Sequence, residues 1–191
     1  EGDFGTSWYV DSMEPAMDLI LGRLLPTVLV NLYSLLISIP LGIAAGILAA
    51  IKKNKWQDHV ISTAVMIFIS VPPYVYAFLV QYFLCFKAGL FPITIPSAQG
   101  ASLFSLKMFI SMMPAILSLG FGVIAGLTRY TRAELSEVLT GDYMLLARTK
   151  GLTKAQATAR HAMRNAMVVI LPMIIGEFIG IISGSLIIEQ I

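Results

Sequence analysis

LLPTVLVNLYSLLISIPLGIAAGILAAI, residues 24–51, runs for 28 positions without a charge between Arg23 and Lys52. A helix crosses the hydrocarbon core of a bilayer with about 20 mostly apolar residues, so this stretch is long enough to span. Three more runs follow. Asp58 and Lys87 bracket 28 uncharged residues, strongly apolar over 60–86; Lys107 and Arg129 bracket 21; and 165–188 holds one charge, Glu177. These read as four transmembrane helices at about 24–51, 60–86, 108–128 and 166–188. Residues 1–23 read as an external segment, and 24–191 as one membrane domain with a loop at 129–165.

Composition agrees. The 191 residues are 57% hydrophobic and 13% charged, whereas soluble domains carry about 45–50% apolar and about 25% charged residues. A soluble core of this size cannot hide so much apolar surface. A soluble enzyme, a disordered tail and a nucleic-acid-binding module are excluded, and the fold class is an all-α membrane protein. The single cysteine, Cys85, excludes an intrachain disulfide and any multi-cysteine metal site.

Basic residues collect on the cytoplasmic side of membrane proteins. Lys52, Lys53 and Lys55, with seven more in 129–165, make up ten of the 13 Lys and Arg residues. Residues 52–58 and 129–165 are therefore expected inside, and 1–23 and 87–107 outside. The first 22 residues carry five acids and no base. With no signal-peptide pattern ahead of them, they lead us to expect a span before this stretch and a cut after Ile191. Residues 88–106, rich in Pro, Gly and Ser, read as a connecting loop.

Within the spans, Gly42/Gly46, Ser118/Gly122/Gly126 and Gly176/Gly180/Gly184 form small-residue ladders that suit close helix packing. Ser70-Val-Pro72-Pro73 predicts a kink of the kind that lines cavities. Glu177, mid-span, must face protein or water: it lines a path, pairs across an interface, or is a neutral hydrogen-bonded packing residue. Ser70, Pro72 and Glu177 are the candidate path residues.

The loop 129–165 carries helix punctuation. Thr131-Arg-Ala-Glu134 and Thr153-Lys-Ala-Gln156 both fit a capping box. Asp142 can start a helix over Tyr143–Lys150, and Gly151 sits where a helix ends in a left-handed residue. A second helix over Thr153–Asn165 then leads into the last span. The pattern reads as a helical hairpin protruding from the membrane, able to dock on a soluble partner.

The run Asp142-Tyr-Met-Leu-Leu-Ala147-Arg-Thr-Lys-Gly151-Leu, followed by His161-Ala-Met-Arg164-Asn165-Ala, resembles the EAA loop of ABC-importer permeases, most of all the branch that handles peptides and nickel. Gly2-Asp3-Phe4-Gly5, Ser70-Val-Pro72, Ala88-Gly89-Leu90-Phe91-Pro92, Pro114-Ala115 and Arg129-Tyr-Thr-Arg132 resemble further motifs of that branch, in the same order. Leu145 and Leu146 stand where the general signature has Glu and Ala, and Thr149 replaces the usual Ala.

The resemblance implies an inner-membrane importer subunit of six spans, of which this stretch would hold four. Its partners would be a second homologous permease subunit, two ATP-binding subunits and an extracytoplasmic solute-binding protein. Asp142, Tyr143, Ala147, Arg148, Thr149, Lys150, Gly151 and Leu152 would form the ATPase-coupling knob, with Ala147 and Gly151 allowing close docking. Cofactors are expected on the partners alone, as ATP and Mg, because no Gly-Lys dipeptide, and so no phosphate-binding loop, occurs in the chain. No catalytic group and no metal site are expected. Di- or oligopeptides are the implied cargo, with nickel or its chelates as the alternative. A channel or secondary transporter, and an intramembrane enzyme pairing Glu177 with Ser183 or Cys85, are the competing readings.

Overall fold

The computed structural model describes residues 5–7, 15–93 and 104–181. Helix α1 spans Ala16–Ile51, α2 Trp56–Ser70 and α3 Pro73–Val80. The last continues through a π-helical stretch, Gln81–Lys87. Helix α4 spans Leu106–Val138, α5 Asp142–Thr149, α6 Lys154–Ala157 and α7 Met163–Gly180, with a π-helical stretch, Thr158–Ala162, joining α6 to α7. Among the described residues there is no strand, only an isolated bridge between Thr6 and Pro15. Three helices are long and apolar enough to cross a membrane, and the bent pair α2–α3 makes a fourth if counted as one span.

The bend is sharper than a proline kink. Helices α2 and α3 meet at 103°. A residue before proline is pushed out of the α region, and Pro72-Pro73 applies that restriction twice. Val71 is extended at φ −90°, ψ 127°, and so is Pro72 at φ −57°, ψ 141°. Pro73 then starts α3, where its missing N–H costs nothing. The expected span 60–86 is therefore two helices rather than one.

Two other expected boundaries move. Helix α1 begins at Ala16 rather than near residue 24, because Asp18 and Arg23 mark a change of polarity and do not stop a helix. Helix α4 continues ten residues past 128, to Val138. Thr131 is fully buried in mid-helix and caps nothing. The real cap of α4 is Ser105, whose hydroxyl accepts from the Met108 amide at 3.3 Å.

The core is the α1–α4 pair. At Gly42 and Gly46 the two backbones touch: an added β-carbon would lie 2.8 Å from Leu127 Cβ and 2.5 Å from Thr131 Cβ, respectively. The Thr128 hydroxyl donates to the Gly42 carbonyl at 3.1 Å, and the Ser34 hydroxyl to the Ile116 carbonyl at 3.2 Å. Small residues let the backbones approach, and interhelical hydrogen bonds then become available. The ladder on α7 behaves differently, since Gly176 and Gly180 have open space where a side chain would go. Gly184 and Ser183 lie outside the described residues.

Candidate functional site: the hairpin and the joint beside it

Helix α4 leads through Leu139–Gly141 into α5, and Gly151 reverses the chain. Its φ of +82° is left-handed, which L residues other than Gly adopt at a cost. The Leu152 amide donates to the Ala147 carbonyl at 3.3 Å, and the Lys150 amide to the Leu146 carbonyl at 3.2 Å. The wider of these two bonds, running back across Gly151, is that of a Schellman closure. Two residues on, the Thr153 amide donates to Gln156 Oε1 at 3.1 Å and the Gln156 amide to the Thr153 hydroxyl at 3.3 Å. The second capping box is thus formed reciprocally.

One face of α5 anchors the hairpin. Met144 and Ala147 are buried with Ala157, Ala162 and Ala166, and with Leu127, Leu135 and Val138 of α4. Leu152 packs against the same cluster. Ala147, expected at the docking surface, therefore faces inward with 5% exposure. The small side chain admits the close approach of the hairpin's own second limb. The outward face carries Leu145 at 65% exposure and Leu146 at 58%, with Thr149, Lys150 and Asp142 also exposed. Leu145 and Leu146 are thus two adjacent exposed apolar side chains on an otherwise polar face. In the sequence these two leucines stand out only as departures from a motif. For Tyr143 and Arg148 the structure places the backbone, in α5.

A second constellation sits where α2 begins. Asp58 is 1% exposed. Arg132 of α4 grips its carboxylate with a fork, one bond from Nε and one from Nη2 at 2.8 Å. The carboxylate also accepts from the Asn54 amide at 2.9 Å and from the Ser62 hydroxyl at 3.2 Å. Asn54 takes the left-handed region, at φ 62°, to aim its amide there. One side chain thus ties together the α1–α2 turn, α2 and α4. A bidentate, hydrogen-bonded pair is the arrangement in which a buried carboxylate is tolerated. Around the bend, Phe68 stacks on Phe121 at 4.8 Å, and Tyr76 meets Phe121 edge-on at 5.7 Å.

The three candidate path residues do not converge on one cavity. Glu177 borders a cavity of about 140 Å³ with Asn31 and Ser34 of α1 and Leu119 and Val123 of α4. Ser70 and Pro72 are exposed at the bend and do not line it. Among the described residues no three His, Cys, Asp or Glu side chains stand together as a metal site. Cys85 is buried.

Long apolar helices, a glycine-mediated core and a capped hairpin define a polytopic membrane protein with an ordered hairpin between its last two long helices. Residues 42–191 match the family of binding-protein-dependent transport system inner membrane components, and the chain belongs to that family. It is 33% identical over 191 residues to the glutathione transport system permease protein GsiC of Escherichia coli strain K12, covering 100% of this chain and 58% of the relative. It is 34% identical over 190 residues to the dipeptide transport system permease protein DppB of Lactococcus lactis subsp. cremoris strain MG1363, covering 100% and 59%. The chain thus spans under two thirds of the length of these relatives.

Proposed function

We propose that the chain is the membrane-spanning part of a permease subunit in an ATP-driven importer of di- or oligopeptides, working with a second permease subunit, two ATP-binding subunits and an external solute-binding protein. The hairpin carries the reading. Its inner face packs on the hairpin's second limb and shares one buried cluster with residues of α4 and α7, and its outer face offers Leu145, Leu146, Thr149 and Lys150 around a turn fixed by Gly151. An ordered element of this kind can pass a partner's movement to the spans, provided the partner binds the two states of the permease unequally. Peptide as cargo is supported by the relatives, which are permeases for glutathione and for dipeptides. In this reading residues 52–58 and the hairpin are cytoplasmic, 87–107 are external, and ATP and Mg are held by the partner. Ser70, Pro72 and Glu177 remain the candidate path residues.

The test is peptide uptake into proteoliposomes holding the assembled complex. Uptake that requires both ATP and the binding protein is expected. Uptake driven by a gradient alone would replace this reading with a secondary transporter.

A further inference from the structure

We propose that the Asp58–Arg132 ion pair is the fixed joint through which movement of the hairpin-bearing helix α4 reaches the broken helix α2–α3, so that both are positioning residues for coupling. The inference rests on the import reading above.

Arg132 lies on the helix that leads, through the turn Leu139–Gly141, into the hairpin. Helix α4 is unbroken from Arg132 to Val138, six residues or about 9 Å at the helical rise. Asp58 sits at the start of α2, and Ser70, at the bend, is twelve residues or about 18 Å further along it. A tilt of about 10° at Asp58 would swing the bend by about 3 Å over that length. The joint is therefore placed to turn a small movement of α4 into a larger one at the bend.

The joint is also the polar attachment of α2 to α4. Asp58 and Val65 are the buried residues of α2, with Ile61, Ala64 and Phe68 half-buried beside them, so the ion pair is the directional contact in an otherwise apolar packing face. At the other end the contacts are aromatic faces and edges, which can slide as a forked ion pair cannot.

The test uses the complete complex in proteoliposomes with Asp58→Asn, Arg132→Lys, Ser62→Ala and the exchange Asp58→Arg with Arg132→Asp. The readouts are ATP hydrolysis and peptide accumulated per ATP. Asp58→Asn and Arg132→Lys are expected to co-purify with the ATP-binding subunits and to hydrolyse ATP within about two-fold of wild type. Peptide per ATP should fall at least ten-fold, and the exchange should recover part of it. Lysine keeps the charge but loses the fork, so Arg132→Lys carries the test if Asp58→Asn does not assemble. Ser62→Ala leaves the pair intact and should lower the same ratio only slightly. A merely structural pair would reduce yield and hydrolysis together at unchanged peptide per ATP, and that result overturns the proposal. A wild-type complex that accumulates peptide without ATP overturns the import reading, and this inference with it.

Discussion

Replacing Gly151 with alanine isolates what the hairpin's turn contributes. No atom lies within 4 Å of the β-carbon this would add, so the change causes no collision. The cost is confined to the backbone, which holds φ at +82°. An L residue in that region costs roughly 1–2 kcal/mol, and alanine has no side-chain hydrogen bond to offset it. The turn should therefore open about 5- to 30-fold more often. The amides that report it are Lys150 and Leu152, which donate to Leu146 and Ala147. Hydrogen exchange of the segment 147–157 in a lipid nanodisc should accelerate by that factor, while exchange in α4 stays unchanged. Asn tolerates the left-handed region better than Ala, so Gly151→Asn should show a smaller acceleration. A β-branched residue is worse still, so Gly151→Val should show a larger one. Equal exchange in wild type and Gly151→Ala would refute the reasoning, as would acceleration spread through α4.

Gly46→Ala pushes a β-carbon to 2.5 Å from Thr131 Cβ and 2.9 Å from the Thr128 carbonyl. Overpacking of that kind costs about 1–3 kcal/mol, and thermal unfolding of the isolated subunit in detergent should show it as a clear loss. Gly176→Ala meets open space and should change stability by no more than about 0.5 kcal/mol; equal melting of the two variants would contradict the close α1–α4 approach. Thr153→Ala removes one half of the capping box and should cost about 1 kcal/mol, seen as faster exchange of the amides at 155–157.

The presence of long apolar helices was legible because charges are costly in lipid and charged residues bracket most of the apolar runs, but their ends were not, since a single charge does not stop a helix. The hairpin was legible because Gly151 and the pair Thr153/Gln156 act locally, within one turn of helix. What escaped needed neighbours from elsewhere in the chain. Thr131 fits a capping box as well as Thr153 does, yet Gly46 of α1 packs against it and α4 runs straight through. Asp58 marks only the edge of an apolar run in the sequence; its partner lies 74 positions away. Ala147 was assigned to the docking face because a small residue permits close approach, but which side it approaches depends on where α6 and α7 return. The double proline signalled a bend, and its size follows only when the restriction on Val71 is applied again to Pro72.

The central claim is that the outer face of α5 docks on an ATP-binding subunit. A photo-reactive residue at position 145 or 146, irradiated in the assembled complex, tests it most directly, with position 60 on α2 as the exposed control. The account predicts crosslinks from 145 and 146 to the ATP-binding subunit and none from 60. Crosslinks from 145 and 146 to lipid alone, or none to that subunit, would contradict it.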